Sequence, residues 1–254
     1  MRKDGRAADD LRPVELIPGW KRQGEGSVLV RAGGTVVLCV ASVDEGVKDF
    51  LRGRSQGWIT AEYLMHPRAG AKRQNRDGYN GKPLGGRTHE ISRLIGRALR
   101  SAVDLKALGE RTITVDCDVI EADGGTRTAS VTGAMVALVI ALNDLRRKGL
   151  ITQPPLRDLI AAVSAGVVAK ECLLDLNYEE DSRAEMDLNL VATAEGAVVE
   201  LQTTAEDAPV PRERVDALVA LAQAGVRRLV SAQRETLVRV GVHPDTLKTR
   251  PAAP

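Results

Sequence analysis

The sequence predicts an α+β fold in a single domain. Three observations carry this. β-branched runs with two-residue alternation fill the first quarter of the chain, two later segments repeat apolar residues at helical spacing, and strands then return before a last helix. The 254 residues suffice for one large domain or two modest ones. We expect one, over residues 1–240, followed by a flexible tail over 241–254.

The elements follow in order. Gly26–Arg31 and Thr35–Ser42 are strand-like runs parted by Ala32-Gly33-Gly34, a hairpin signal. Gly57–Tyr63 reads as a further strand. Residues 65–86 mix Gly, Pro, Arg and Asn without an apolar period, which predicts a long mobile loop of the functional kind. Ile91, Leu94, Ile95, Ala98, Leu99, Ala102 and Val103 form a helical stripe that stops near Gly109. Arg111–Val119 alternates, with Ile113, Val115, Cys117 and Val119 on one face. Val131, Ala134, Met135, Leu138, Val139, Leu142 and Leu145 make a second stripe, ended by Gly149. Residues 159–174 read as buried strand, Asp187–Thr193 and Ala197–Gln202 as an antiparallel pair across Gly196, and Arg212–Gln233 or beyond as the last helix. Pro244, Pro251 and Pro254 predict fraying of the tail.

Composition narrows the function classes. Hydrophobic residues are 43%, charged residues 28% and mean hydropathy −0.15, values of a chain that buries a core. No run of about 18 apolar residues is present, so no membrane span is expected. Met1–Arg6 is charged with no apolar stretch behind it, unlike a secretory signal, and a cytoplasmic protein is expected. Cys39, Cys117 and Cys172 stand apart, in neither disulfide nor zinc spacing, and read as small buried residues. Aromatics at 2% argue against stacking platforms for bases, so any nucleic-acid binding rests on charge.

Net charge is only +2, yet its distribution is uneven. Arg68, Lys72, Arg73, Arg76, Lys82 and Arg87 face the single acid Asp77 between residues 66 and 87. From Glu171 to Asp216, acids heavily outnumber Arg183, Arg212 and Arg214. A basic loop points to an anionic partner, and an acidic half to cation or proton chemistry.

Two junctions carry further chemistry. Glu121-Ala-Asp-Gly-Gly-Thr-Arg-Thr128 joins a strand to a helix, where glycines admit a ligand to the backbone and the first helical turn offers free N–H groups. Thr126 adds a hydroxyl and Arg127 a fork of donors. A plain capped helix start fits the same residues, and the Walker spacing is absent. Gly85-Gly-Arg-Thr88 repeats the pattern, so Arg87 and Arg127 could meet at one anion. Asp187 alternates away from the face of Leu188, Leu190 and Ala192, with Asp181 six residues upstream in a loop. Two such carboxylates could hold Mg²⁺ or supply a general acid, or could be an ordinary solvated face.

Taken in order, Gly85–Thr88, Arg93–Arg100, Leu108–Ile113, Asp116–Val119, Ala122–Ala134 and Asp175–Asp181 closely resemble bacterial ribonuclease PH over roughly residues 1–235. The resemblance implies a ribosomal-protein-S5-domain-2-like βαβα fold and a phosphorolytic 3′→5′ exoribonuclease. Such an enzyme trims tRNA 3′ ends with inorganic phosphate as co-substrate and releases nucleoside diphosphates. It implies phosphate binding by Arg87, Gly125, Thr126 and Arg127, and Mg²⁺ binding or acid catalysis by Asp181 and Asp187. The basic loop, Arg68, Lys72, Arg73 and Arg76, would grip tRNA. The implied assembly is a homohexamer, a trimer of dimers. Thr203 stands where the family has glycine, and Val210 where it prefers phenylalanine. A non-catalytic RNA-binding ring subunit would keep the fold and basic surface but lose the Arg, Thr and Asp residues, all present here. A small-molecule phosphotransferase would need a nucleotide-base or Walker signature, which is missing.

Overall fold

The computed structural model describes residues 2–206 and 208–249. The chain runs β1 (Val14–Pro18), β2 (Gly26–Ala32), β3 (Thr35–Glu45), β4 (Trp58–Met65), α1 (Gly86–Ser101), α2 (Leu105–Leu108), β5 (Arg111–Glu121), α3 (Thr126–Arg147), β6 (Ile160–Val168), β7 (Glu171–Leu174), α4 (Tyr178–Asp181), β8 (Met186–Thr193), β9 (Val198–Ala205), α5 (Arg212–Arg239) and α6 (Pro244–Leu247). The fold is α+β.

The strands form two sheets. The first has the order β1-β2-β3-β5-β4, with β4 parallel to β5 and the other pairs antiparallel. The second, β7-β6-β8-β9, is antiparallel throughout. Helix α3 packs on β2, β3 and β5 and also on β6, so one hydrophobic core continues from sheet to sheet. That position explains its composition. It carries an apolar stretch long enough to cross a membrane, but most of that stretch is buried inside the protein. Gly133 sets its closeness to the first sheet, because a Cβ there would lie 2.3 Å from Val30 and 2.8 Å from Cys39.

Several expectations change. Strand β1 has no sequence signal strong enough to separate it from its flanking loops. Residues 159–174 are two antiparallel strands, because Ala169 and Lys170 turn the chain in left-handed conformation. Asp181 ends the short helix α4 and is not in a loop; Asn177 starts that helix by a reciprocal cap with Glu180. Cys39 and Cys117 do not stand apart: they face each other across β3 and β5, and both lie near the Ser130 carbonyl. The expected tail is docked as far as the structure describes it. Leu247 is buried, and Leu156 exchanges backbone hydrogen bonds with Leu247 and Thr249, so burial outweighs the prolines. The rest of that tail, from residue 250 on, lies outside the described residues.

Residues 65–86 are mostly irregular and mostly exposed, as the lack of an apolar period predicts, but Ala69 is buried and the segment is tied to its surroundings. The His66 N–H donates to the Val119 carbonyl at 2.8 Å. The Ala69 carbonyl accepts from the Ala122 N–H at 3.0 Å. The Asp77 carboxylate accepts from the Gly85 N–H at 3.0 Å and from the Thr88 hydroxyl at 2.5 Å.

Candidate active site

The site forms on one face of the second sheet. The β6–β8–β9 register places Gly166, Asp187 and Thr204 in one row, and Ser164, Asn189 and Gln202 in another. Residues 175–185 fold over this face. Leu176 lies so close to Gly166 that a Cβ there would approach it to 2.7 Å. This crossing brings Asp181 to Asp187. Burial pushes the Asp187 carboxyl above the ordinary carboxylate range, and the charges of Asp181 and Glu206 push it further. Asp181 is exposed, yet partial desolvation raises its carboxyl too. Arg87, Arg127 and Arg12 pull it the other way.

Both arginines of the two glycine-rich junctions therefore act on the same carboxylate. Arg87 comes from the first turn of α1 and Arg127 from the first turn of α3. The two also act together on the Tyr63 phenol. Arg127 is held by Gln202 Oε1 at 2.8 Å and Glu90 Oε1 at 3.2 Å, so β9 and α1 fix its direction.

The turn before α3 supplies backbone donors. Gly124 and Gly125 are both left-handed, at φ 76° and 64°. Their N–H groups have no partner among the described residues. With the first N–H groups of α3 they leave unpaired donors at a positive helix end. Thr126 is buried, and its hydroxyl meets the Tyr63 hydroxyl at 2.8 Å. Burial raises the Tyr63 phenol, which keeps it protonated. Either hydroxyl can donate to the other, so the pair ties the start of α3 to β4.

The structure thus brings Arg87, Gly125, Thr126, Arg127, Asp181 and Asp187 together. Arg68, Lys72, Arg73 and Arg76 all lie exposed on the loop that leads into α1. Sequence reasoning missed Tyr63, Glu90, Gln202 and Arg12. Glu90 and Gln202 sit within or beside the motifs; Tyr63 and Arg12 have no signal, because their partners lie far along the chain. Thr203 does contact the site's frame, donating its hydroxyl to the Asp187 carbonyl at 2.9 Å.

Among the described residues no group of three or more His, Cys, Asp or Glu gathers to enclose a metal. The donor set that does exist, two oxygen ligands with mutual repulsion to relieve, suits Mg²⁺, which is commonly held by one or two carboxylates plus substrate phosphate.

Two arginines and helix-start amides set against an acidic pair form an arrangement with the charge and donors to hold a phosphate group. Comparison with known proteins makes this narrower. Residues 10–142 match domain 1 of the 3′ exoribonuclease family of RNase PH type, and residues 158–225 match its domain 2. The chain belongs to this family. It has the family's two-domain architecture and S5-domain-2-like fold, so the expected single domain is two family domains sharing one core. Rrp46 from rice (Oryza sativa) is similar in structure, with 21% identity and TM-score 0.75 over 93% of this chain and 100% of that one. A chain of the Archaeoglobus fulgidus exosome with RNA bound to the active site shares 25% identity and TM-score 0.74, over 91% of each chain. A chain of an archaeal exosome core shares 24% identity and TM-score 0.70, over 91% of this chain and 90% of that one.

Proposed function

We propose that the protein is a phosphate-dependent 3′→5′ exoribonuclease of the bacterial ribonuclease PH kind, trimming 3′ ends of tRNA precursors. The convergence of Arg87 and Arg127 on Asp181, with Arg127 also acting on Asp187, carries this reading. Phosphorolysis sets one anion against another, so fixed cationic donors must offset the repulsion and hold the attacking oxygen in line. Arg87, Thr126, Arg127 and the Gly125 N–H would hold inorganic phosphate. A phosphate oxygen bonds to the phosphorus of the terminal linkage, the bond to the neighbouring 3′-oxygen breaks, and a nucleoside diphosphate leaves. Asp181 and Asp187 serve the departing 3′-oxygen. Their raised proton affinity fits a donor, and the same pair would hold Mg²⁺, which when bound stabilises negative charge on that oxygen.

Arg68, Lys72, Arg73 and Arg76 would grip the RNA backbone beyond the site. A homohexameric ring, a trimer of dimers, would carry several such loops, and the likeness to exosome core chains supports ring assembly. A ring subunit without chemistry is disfavoured because the whole charged constellation is retained. Incubating a 3′-extended tRNA with and without phosphate tests the proposal. Nucleoside diphosphates should appear only with phosphate; equal release of monophosphates in its absence would refute it.

A further inference from the structure

We infer that Arg12 and Asp175 are positioning residues that lock the glycine turn of the phosphate cradle to the segment bearing Asp181. This rests on the phosphorolytic reading above. The Arg12 fork donates to Asp175, from Nη2 at 2.7 Å and Nε at 3.1 Å, and the Arg12 backbone N–H adds a third bond at 2.8 Å. The same guanidinium donates from Nη1 to the Asp123 carbonyl at 2.5 Å. Both side chains are buried, at 4% and 8% exposure. One planar group thus joins the turn before α3 to the turn before α4.

Three further observations show that the neighbourhood is shaped around this clamp. A Cβ on Gly125 would lie 2.9 Å from Arg12 Nη2, and one on Gly124 would lie 2.7 Å from the backbone of residues 176 and 177. The paired glycines therefore make room for the clamp as well as for a ligand. Asp175 is left-handed at φ 52°, a strained state for a residue with a side chain, and it persists because its surroundings fix it. Its carbonyl accepts from Arg2 at 3.0 Å and Arg6 at 2.9 Å, and Arg2 also pairs with Glu180, next to Asp181.

The consequence for the cradle follows from peptide geometry. In a trans peptide the C=O and the next N–H point in opposite directions. Arg12 holds the Asp123 carbonyl, and the Thr35 hydroxyl holds that of Gly124 at 2.6 Å. The Gly124 and Gly125 N–H groups are thereby turned away from these anchors and left open. The Arg12 guanidinium is fully engaged with Asp175 and the carbonyls of the glycine turn. It sets where the phosphate sits relative to Asp181 and Asp187.

Arg12→Lys keeps the charge but loses the fork. Two measurements on the full chain test the inference: steady-state release of nucleoside diphosphate against phosphate concentration, and amide hydrogen exchange. Misplacing a bound reactant by about 1 Å can cost about 10²-fold, so kcat per folded molecule should fall about 10²-fold while the phosphate KM and RNA affinity move little. Exchange should rise together at residues 124–128 and 176–182, and remain unchanged in β2 and β3. Unchanged kcat per folded molecule would make Arg12 merely structural and overturn the inference, as would faster exchange in only one of the two segments. Asp175→Asn, which keeps volume and one acceptor, is the second variant should Arg12→Lys not fold. If the unaltered protein releases no diphosphate with phosphate present, the phosphorolytic reading fails, and coupled exchange still decides whether the clamp locks the two turns.

Discussion

At the scale of single residues, Arg127 and Asp187 have separable tasks. Arg127→Lys should raise the phosphate requirement, since a point charge cannot replace the fork that Gln202 and Glu90 orient. RNA binding should survive. Asp187→Asn should lower maximal turnover by about 10²–10⁴-fold with little change in phosphate affinity. The same substitution has a stability consequence. Burial, Asp181 and Glu206 raise the folded pKa of Asp187 above its unfolded value. Its favourable contribution is then full below the ordinary carboxylate pKa of about 3.9 and is lost as pH rises through the raised folded value. Asn removes that loss, so the variant should melt higher than the parent at pH 7. A lower melting temperature at pH 7 would show that Asp187 is stabilised by a partner. Tyr63→Phe deletes only the hydroxyl that meets Thr126, and removing a hydrogen bond worth ~1 kcal/mol should raise the phosphate KM about fivefold. An unmoved phosphate curve would take Thr126 out of the cradle. The two halves of the cradle and the acid pair were legible as motifs because each of the three lies in one short stretch. Tyr63 and Arg12 were not, because a contact between distant strands leaves no local pattern.

At the scale of elements, the two glycine-arginine junctions are the starts of α1 and α3, as the repeated pattern predicted. Their supports differ. Helix α1 begins at Gly85, which has no side chain to cap it, and Asp77 from the basic loop supplies the carboxylate. The hydrogen bond from Thr88, with that from Gly85, holds the Asp77 carboxyl below its usual range. This tie is therefore present above the unfolded carboxylate pKa and lost as pH falls through the lowered folded value. The loop's one acid thus anchors the basic segment to the helix that presents Arg87. Replacing Arg68, Lys72, Arg73 and Arg76 by Ala should weaken tRNA binding and flatten its salt dependence by about 0.7 for each RNA phosphate no longer neutralised. Turnover of a short oligonucleotide at saturation should change little. Unchanged tRNA affinity would assign the loop to packing.

At the scale of the whole molecule, α3 joins the two sheets and delivers Arg127 to a face built by β6, β8 and β9. Its apolar stripe was legible, whereas the second sheet's topology was not, since residues 159–174 are apolar on both sides of the turn at Ala169–Lys170. Gly133→Ala would drive a methyl group into Val30 and Cys39. Overpacking of this kind costs about 1–3 kcal/mol, so the melting temperature should fall for the molecule as one unit, without a separate transition for either sheet. The central claim is that one site holds phosphate against the RNA linkage. The measurement that reaches it most directly follows radiolabelled inorganic phosphate during trimming of a 3′-extended tRNA. The account predicts that the label appears in the β-phosphate of the released nucleoside diphosphates, one label per nucleotide removed. Release of unlabelled nucleoside monophosphates, with all label left as free phosphate, would contradict it.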